Sequence, residues 1–571
     1  MSENLYTALS EERKRLQLEG LVPLWYSTGG YQMFKDKYEY DTKGRSVRGQ
    51  FERIAKTAAK HVFLKGYSQD IVETKFFGLL WDGWLSPSTP VLANMGTNRG
   101  LPISCSGSVV DDSIYGFYYN QLETAMLTKN GFGTSSYMGD IRNRGANISI
   151  GGKASGMMPV YKDHVNLTRD VSQGTARRGA WAGYLDIEHG DFDELADFIL
   201  AEPDDANVGW NISDAFLKRL DDPKDFEALR RFQKVMKLKM TYGKGYFLFP
   251  DKINRVRPNP YKEHELFVKA SNLCSEITLF ADKDHTFTCV LSSMNVARFK
   301  EWKDTDAVFW ATVFLDAVVS EFLERARNIP GLEKAVRFTE KGRALGLGAC
   351  GLHTYFQDNM MAWDSMEAHF ANMEIFDHIN KESRRASVYL AEEMGEPFWC
   401  KGHGIRNTHR MAIAPTKSTA LLMGGVSEGI NPDPAMSFTQ LTSAGEVERV
   451  NPALLKIMKE RGVHNKKVLK VLKDRMGSVQ QFDWLSDDEK RVFRTAFEIP
   501  QEAIIRMAST RAQYLDQWQS LNLFFPADAS PRYIAKIHKL AFLDPRILGL
   551  YYVYTSSGVQ GATEAECAAC M

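Results

Sequence analysis

LPISCSGSVV, residues 101–110, predicts a short β-strand, because small and β-branched residues fill it and glycine-containing sequence surrounds it. Two similar runs follow at residues 245–250 (GYFLFP) and 286–292 (TFTCVLS). Glycine-rich loops and amphipathic helical stretches separate these runs. An alternation of this kind is typical of an α/β fold.

The sequence on either side of this region differs from it in composition and in periodicity. Residues 1–85 are predicted to be helical, and the spacing of one helix face is followed by Phe51, Ile54, Ala55, Ala58 and Val62. The last residues, 556–571, are small and polar without periodicity, which predicts a mobile tail. We therefore expect one large catalytic α/β domain over residues 86–555.

Composition excludes several classes of protein. The chain has 571 residues with 71 Lys+Arg against 71 Asp+Glu, so its net charge implies no general attraction to nucleic acid or to an anionic membrane. It contains no apolar segment of about 20 residues and no signal peptide at its start. Seven cysteines, a sparse and odd number, favour a reducing, cytoplasmic setting.

The tail carries the pair Cys567 and Cys570, for which three uses are known: half a zinc site, a thioredoxin-like motif, or an exposed dithiol. A structural zinc site needs four ligands, and the sequence offers no second pair to complete one. The pair also does not follow a strand and open a helix. A mobile dithiol that exchanges electrons and an incidental tail remain the two alternatives.

A second group of chemical interest is Asn272-Leu273-Cys274-Ser275-Glu276. In an extended segment, alternation places Asn272, Cys274 and Glu276 on one side, which would combine a thiol, an amide and a base. The alternative is a buried, small cysteine in a strand. Taken singly, Cys105 and Cys289 are best explained as core packing in β-like runs.

Clustered hydroxyls indicate where an anion could bind. Residues 86–90 (SPSTP) and 415–419 (PTKST) supply hydroxyl and backbone N–H groups at turns, and such turns either bind anions or cap helices. Residues 174–179 (GTARRG) form a loop with two cations, suited to a nucleotide or to solvent exposure. No Walker loop, Rossmann fingerprint or HExxH motif occurs.

Taken together, these segments resemble the catalytic (large, alpha) subunit of ribonucleotide reductases. The resemblance runs in order from about residue 86 to the end. It is carried by the segments SPSTPVLANMGT, ISCSG, KNGFGTSSYMGDIRNRG, SQGTARRGA, NLCSEI, TFTCVLSSMN, LGLGACGLH, APTKST, YLDQWQSLNLFF, LYYVYT and ECAACM. It implies a ten-stranded α/β barrel with a central finger loop that carries the radical cysteine.

The resemblance also implies catalytic roles. Cys274 would become a thiyl radical that takes the hydrogen atom from C3′ of the ribose. Glu276 would accept the proton of the 3′-hydroxyl, and Asn272 would hydrogen-bond the ribose hydroxyls. Cys105 and Cys289 would face each other across the barrel and supply the reducing equivalents that expel the 2′-hydroxyl as water.

The same resemblance implies how the active-site dithiol is regenerated and where substrate and effector bind. Cys567 and Cys570 would reduce the active-site disulfide and be reduced in turn by thioredoxin or glutaredoxin. The residues that would bind substrate are Thr89, Ser104, Thr416, Ser418 and Thr419, with Arg178 near the base. A specificity site for a deoxynucleoside triphosphate or ATP would include Asp112, Arg142 and Gln173, and the loop 172–180 would carry its signal to the substrate.

Tyr551 and Tyr552 favour class I within this family. Such a pair would relay the radical from a separate, ferritin-like small subunit that holds the metal cofactor, so this chain itself is expected to bind no metal. The alternatives are an adenosylcobalamin-dependent reductase and a non-catalytic nucleotide-binding protein of the same fold. A simple thiol–disulfide oxidoreductase would explain the tail but not the group around Cys274. A homodimer is expected.

The sequence departs from the family pattern in three respects. The segment before the barrel is too short for an N-terminal ATP-cone, so control by dATP through a cone is not expected. Tyr554 stands where many relatives have arginine. Cys350 and Cys400 match no catalytic role and are interpreted as packing residues. The metal of the partner and the choice between di- and triphosphate substrates stay open.

Overall fold

The computed structural model describes residues 2–40, 46–173, 179–204, 207–442 and 445–556. Arg178 and the tail cysteines Cys567 and Cys570 lie outside these ranges. No helix among the described residues is long and apolar enough to cross a lipid bilayer.

Helices occupy the N-terminal region and surround the sheet. The α-helices are α1 Ser2–Leu18, α2 Thr28–Met33, α3 Val47–Ala59, α4 Gln69–Trp81, α5 Thr89–Asn94, α6 Ile114–Lys129, α7 Met158–Asp170, α8 Phe192–Ala201, α9 Asp214–Leu220, α10 Phe226–Tyr242, α11 Pro250–Val256, α12 Asn259–Glu263, α13 Phe299–Trp302, α14 Ala307–Ala326, α15 Glu333–Gly342, α16 Leu352–Asp358, α17 Met366–Met394, α18 Lys417–Leu422, α19 Pro452–Glu460, α20 Lys466–Asp474, α21 Asp487–Val492, α22 Gln501–Ala512 and α23 Pro531–Leu543. Single turns of other helix types are Phe34–Tyr38 (π), Val296–Arg298 and Phe398–Cys400 (both 3-10).

The strands are short, and those of the barrel sheet are almost entirely buried. They are β1 Leu85–Pro87, β2 Cys105–Val109, β3 Gly133–Tyr137, β4 Trp181–Asp186, β5 Asn207–Asn211, β6 Tyr246–Leu248, β7 Phe287–Asn295, β8 Leu345–Cys350, β9 Ser437–Thr442, β10 Gly445–Val450, β11 Leu523–Phe525, β12 Gly549–Leu550 and β13 Val553–Thr555. The three β-rich runs of the sequence become β2, β6 and β7.

One curled sheet forms half of a barrel. Strands β2 to β6 are parallel neighbours in chain order, and each β-to-β connection passes through helices on the outside. At one end β7 pairs antiparallel with β2 and parallel with β8, and at the other end β12 pairs antiparallel with β6.

Two extended runs, residues 409–413 and 517–521, complete the ring. Leu345 and Leu347 of β8 donate backbone hydrogen bonds to the first run. Ile413 donates to Trp518 of the second run at 3.0 Å, and Tyr551, next to β12, donates to Leu521 at 2.8 Å. With these two runs the ring has ten members, so the predicted ten-stranded α/β barrel is confirmed.

The segment between α12 and β7 passes through the interior of this ring as a finger loop. Residues 271–277 are fully enclosed, and hydrogen bonds reach them from two opposite walls of the barrel. Ser135 of β3 donates to the carbonyl of Ser271, whereas Trp518 donates its backbone N–H to the carbonyl of Glu276. The barrel thereby fixes this irregular segment at its centre.

The helical N-terminal region is confirmed as part of the fold. Helices α1 to α4 precede β1, and the residues predicted to share one face of α3, including Phe51, Ile54 and Ala58, are buried. This region packs on α14, a helix buried along nearly its whole length, and so it stands against the barrel wall rather than apart from it.

Candidate active site

The finger loop places its chemical groups by a tight turn. Ser275 has a φ of +66°, an unusual value for a residue with a side chain, and its N–H donates to the carbonyl of Asn272 at 3.2 Å. The prediction of an extended segment with three residues on one side is therefore wrong. The turn nevertheless brings Cys274 and Glu276 to the same cleft, because it folds the chain back between them.

Asn272 is held inside the turn. Its side-chain oxygen accepts the backbone N–H groups of Glu276 and Ile277 at 3.1 and 3.2 Å, and its amide nitrogen lies 3.2 Å from Sγ of Cys105. Tyr184 of β4 donates its hydroxyl to the Asn272 carbonyl at 2.7 Å. The amide thus ties the loop to the strand that carries Cys105.

Ser520 supports both reactive groups of the loop. Its Oγ lies 2.7 Å from the carbonyl oxygen of Cys274 and 3.2 Å from Oε2 of Glu276. The sequence offered no role for Ser520, although it lies in a segment that carries the family resemblance. Its contact with the loop joins residues about 245 positions apart, which only the closed barrel brings together.

Cys105 and Cys289 are direct cross-strand partners on β2 and β7. They are neighbours on adjacent antiparallel strands, so the expectation that they face each other across the barrel is wrong. Residues directly opposite in such a pair have their side chains on the same face. All five described cysteines, including these two, are present as thiols rather than as disulfides.

The Cys289 thiol lies in a dry environment. Burial, together with the neighbouring Cys105, raises the pKa of Cys289 well above its usual value, and the amide of Gln517, 3.8 Å from Sγ, opposes this only in part. Gln517 is fixed in turn by the carbonyl of Leu345 at 2.8 Å. At neutral pH Cys289 is accordingly a thiol rather than a thiolate, which suits a donor of hydrogen.

A cleft of about 560 Å³ opens beside the finger loop. Its lining combines reactive groups with hydroxyls: Ser86, Ser88, Thr89, Pro90, Ser104, Cys105, Cys274, Glu276, Leu291, Ser292, Ser293, Ala414, Pro415, Thr416, Ser418 and Thr419. Five of them are the residues predicted to bind substrate phosphates. The serines of β7 were not predicted, because strand residues at buried positions give no sign in the sequence of facing a cavity.

Two of the lining hydroxyls point to a ligand. Ser104 and Ser418 are each at least 95% buried, and within the described residues their Oγ atoms have no hydrogen-bond partner. Buried polar atoms are nearly always satisfied in folded proteins, so these two are poised for a group that enters the cleft. None of the described lining side chains is cationic, so an anion here must be held by hydroxyl and backbone N–H groups.

Tyr551 and Tyr552 form a compact aromatic group with Tyr246. The ring centroids of the pair are 4.1 Å apart, and Tyr246 of β6 lies 5.0 Å from Tyr551 and 5.6 Å from Tyr552. The hydroxyls of Tyr246 and Tyr552 are 3.4 Å apart. The Tyr551 N–H donates to the carbonyl of Leu521, the residue after Ser520. The tyrosine group therefore lies next to Ser520, which holds the Cys274 carbonyl. Tyr246 was not predicted as part of it.

Two of the three residues predicted for an effector site lie on the barrel surface. Asp112, just before α6, and Arg142, after β3, form an ion pair at 2.7 Å, and both side chains are partly exposed. Gln173 is buried and is not in this pair; it donates to the side chain of Asn94 at 2.8 Å and to the carbonyl of Arg99. Asn94 ends α5, the helix that begins at Thr89 in the cleft.

Cys350 and Cys400 are buried outside the cleft. Burial raises the pKa of each thiol to about 12, so neither forms a thiolate at neutral pH. Cys350 packs with Ala420 and Met423 in a small apolar cluster, as the packing interpretation requires.

Comparison with known families identifies the chain. The family model described as "Ribonucleotide reductase, barrel domain" matches residues 103–231, 222–400 and 399–552, and "Ribonucleotide reductase, all-alpha domain" matches residues 24–100. An α/β barrel with a cysteine-bearing interior loop is the architecture of this class of enzyme. The chain belongs to the ribonucleotide reductase family, as its large subunit.

Individual relatives agree with this assignment. The putative ribonucleoside-diphosphate reductase large subunit of Frog virus 3 (isolate Goorha) is 33% identical over 84% of this chain and 87% of its own length. The large subunit of Invertebrate iridescent virus 3 is 28% identical over 95% and 97%. The solved class Id ribonucleotide reductase alpha subunit of Actinobacillus ureae is 35% identical, with a TM-score of 0.86 over 94% of this chain and 98% of that one. The predicted oxidoreductase function is confirmed.

Proposed function

We propose that this chain reduces ribonucleoside diphosphates to 2′-deoxyribonucleotides through a thiyl radical on Cys274. The observation that carries the proposal is that Cys274, Cys105 and Glu276 line one cleft together with a set of hydroxyls. The names of the viral relatives, ribonucleoside-diphosphate reductases, support the diphosphate as substrate.

The groups that line the cleft, together with Cys289 opposite Cys105, can supply every atom and electron that the reaction requires. The Cys274 radical takes a hydrogen atom from C3′, and Glu276 accepts the 3′-hydroxyl proton. Cys105 and Cys289 then give up two electrons and two protons as they form a disulfide: one hydrogen leaves with the 2′-hydroxyl as water, and the other takes its place at C2′. Glu276 returns the proton to the 3′-oxygen, and Cys274 returns a hydrogen atom to C3′ and is a radical again. The cross-strand position of the two thiols supports their pairing in this step.

The hydroxyl-rich side of the cleft would bind the substrate phosphates. Ser104 and Ser418 carry deeply buried oxygens without a hydrogen-bond partner among the described residues, and Thr89, Thr416 and Thr419 lie beside them. With no cationic side chain among the lining residues described, binding would depend on many hydroxyl and N–H contacts rather than on one charge. Arg178, outside the described residues, is proposed to reach the base.

Each turnover oxidises Cys105 and Cys289 to a disulfide, so the next turnover requires that this disulfide be reduced. We assign this role to Cys567 and Cys570, since a buried disulfide between Cys105 and Cys289 is out of reach of a large protein reductant. The tail pair would exchange with the disulfide and be reduced by thioredoxin or glutaredoxin. Both tail cysteines lie outside the described residues, so this step rests on the sequence.

The radical would come from outside the chain. Tyr551 and Tyr552 are in ring contact, and they adjoin the residues that support Cys274. They are proposed to relay an electron hole from a separate ferritin-like small subunit that carries the metal cofactor, as in class I. The class Id designation of the solved relative supports this choice.

Regulation would act through the surface beside α6. An effector triphosphate or ATP is proposed to bind near Asp112 and Arg142, and Gln173 would pass its effect through Asn94 to α5 and the cleft. Helix α6 also exposes Ile114, Tyr118 and Leu122 at intervals of four residues, an apolar stripe suited to a second copy of the chain.

The test is deoxynucleotide formation from a ribonucleoside diphosphate, with effector and a dithiol reductant. One arm contains the small subunit from the same source, and the other contains adenosylcobalamin. We expect product only with the small subunit, none with Cys274→Ser, and full activity with Cys350→Ala as the matched buried-cysteine control. Product with adenosylcobalamin alone would contradict the class I assignment, and an active Cys274→Ser variant would contradict the mechanism.

A further inference from the structure

Tyr554 continues the tyrosine group toward the surface. Its ring centroid lies 5.8 Å from that of Tyr552, which in turn contacts Tyr551. Exposure rises along this series: Tyr551 is 1% exposed, Tyr552 is 7% exposed and Tyr554 is half-buried. The three rings therefore form a line from the barrel interior to solvent.

The third ring is held in a defined position. Tyr554 lies on β13, paired in register with Phe524 of β11, and the two rings stack at 5.3 Å with an interplanar angle of 16°. The ammonium group of Lys417 lies 5.7 Å from the centre of the Tyr554 ring. Lys417 belongs to the turn that brings Thr416 and Ser418 to the cleft, so Tyr554 adjoins the active site on a second side.

Tyr246 does not offer an equivalent outward route. It contacts both rings of the pair, but it is 1% exposed and lies on a central barrel strand. Of the tyrosines in contact with Tyr552, only Tyr554 among the described residues reaches solvent.

We propose that Tyr554 is an additional relay residue that connects Tyr552 to the partner subunit. The proposal rests on the radical route of the proposed function. The one-electron oxidant of the small subunit takes an electron from Tyr554, and the phenol proton leaves to water. The neutral Tyr554 radical then takes one electron and one proton from Tyr552, which restores the Tyr554 phenol and passes the hole inward.

The surroundings suit this step. Oxidation of a phenol is coupled to loss of its proton, and a partly exposed residue has water to accept it. The radical that results is neutral, so the nearby ammonium group of Lys417 does not repel it. Stacking on Phe524 fixes the position of the ring.

The first test is Tyr554→Phe, which keeps the ring and its stacking but removes the phenol. With the small subunit, substrate and effector, we expect kcat to fall at least about 10-fold while KM stays unchanged. Tyr514→Phe, at another half-buried tyrosine, is the matched control and should keep full activity. Wild-type turnover by Tyr554→Phe would overturn the proposal.

The second test establishes the order of the relay. 3-Aminotyrosine, which is oxidised more readily than tyrosine, is placed at position 554 of a chain that also carries Tyr552→Phe. If Tyr554 precedes Tyr552, an aminotyrosyl radical forms at 554 and is seen by electron paramagnetic resonance. A radical at 554 that requires an intact Tyr552 would show Tyr554 to be a side branch and would overturn the proposal.

A third sample separates this proposal from the radical route itself. Aminotyrosine at position 552 of an otherwise unchanged chain should trap a radical whenever the proposed function holds. A radical at 552 but none at 554 in the doubly changed chain overturns the role of Tyr554 alone. No radical at either position overturns the radical route and the relay together.

Discussion

The catalytic cleft and the surface proposed to bind the effector, called here the effector-side surface and comprising Asp112, Arg142 and helix α6, are built in opposite ways. In the cleft, Cys274 and Glu276 are at least 92% buried, and hydrogen bonds from Trp518 and Ser520 hold them in place. On the effector-side surface, the Asp112–Arg142 ion pair is partly exposed, and α6 presents apolar side chains to solvent.

This difference matches what the proposed function requires of each region. Radical chemistry at C3′ needs reacting atoms at fixed positions and protection from water, which a barrel interior supplies. Binding an effector and a second subunit instead needs exposed groups that change partners. An exposed ion pair contributes little to stability, so it can be exchanged for a ligand at small cost.

Glu276→Gln tests the cleft most strongly. The amide keeps the size of the carboxylate but cannot accept the 3′-hydroxyl proton, so we expect kcat to fall by about 100-fold or more. Substrate binding, measured by equilibrium dialysis, should remain near that of the unchanged chain. A variant with undiminished kcat would contradict the role of Glu276 as base.

Ser520→Ala tests whether positioning matters inside the cleft. Loss of the hydroxyl frees the Cys274 carbonyl and one oxygen of Glu276, and we expect a fall of about 10-fold in kcat with KM unchanged. Ser418→Ala is the contrasting variant, because its unpartnered oxygen faces the phosphate side. It should raise KM more than it lowers kcat, and the reverse pattern would count against the assignment of the two serines.

Asp112→Ala addresses the effector-side surface. It removes one partner of the ion pair, and we expect the effector-induced change in preference between two ribonucleotide substrates to shrink about 5-fold. Asp221→Ala, which breaks an exposed ion pair with Lys539, is the control. An unaltered effector response in Asp112→Ala would place the effector site elsewhere.

Glu123→Gln tests how a titratable group on the buried face of α6 affects stability. Glu123 is fully buried beside Thr286, Glu333 and Lys334, and burial raises its pKa to about 7. Between pH 4.5 and 7 the unfolded chain loses this proton while the folded chain keeps it, so the native state loses stability as pH rises. The free energy of unfolding falls by at most about 3 kcal/mol over this range, because a shift of one pKa unit corresponds to about 1.36 kcal/mol.

The measurement is the thermal midpoint at pH 5 and pH 8 by calorimetry. The midpoint of Glu123→Gln should exceed that of the unchanged chain at pH 8 by a few degrees more than at pH 5. An equal difference at the two pH values would show that Glu123 does not titrate in this range.

Much of the cleft could be predicted because its residues occur in contiguous, characteristic segments. NLCSEI, APTKST and the strand around Cys105 each carry their own chemistry, and the barrel needed only to bring them together. The expected extended segment at Cys274 failed because a positive φ at Ser275, a non-glycine residue, leaves no mark in the sequence.

Other features depend on contacts between distant segments. The support from Ser520, the cross-strand position of Cys105 and Cys289 and the contact of Tyr246 with the tyrosine pair all join residues more than 180 positions apart. The runs 409–413 and 517–521 complete the barrel without forming regular strands, so periodicity could not reveal them. On the effector-side surface, the ion pair was named through the resemblance alone.

The most direct test of the account is to count the deoxynucleotides formed per chain without external reductant. The fully reduced chain, mixed with small subunit, substrate and effector, should form about two deoxynucleotides per chain, one from each dithiol, and about one when Cys567→Ser and Cys570→Ser are present. Mass spectrometry of the latter should show one disulfide, between Cys105 and Cys289. Deoxynucleotide formed in that variant without this disulfide, or in Cys105→Ser, would contradict the account.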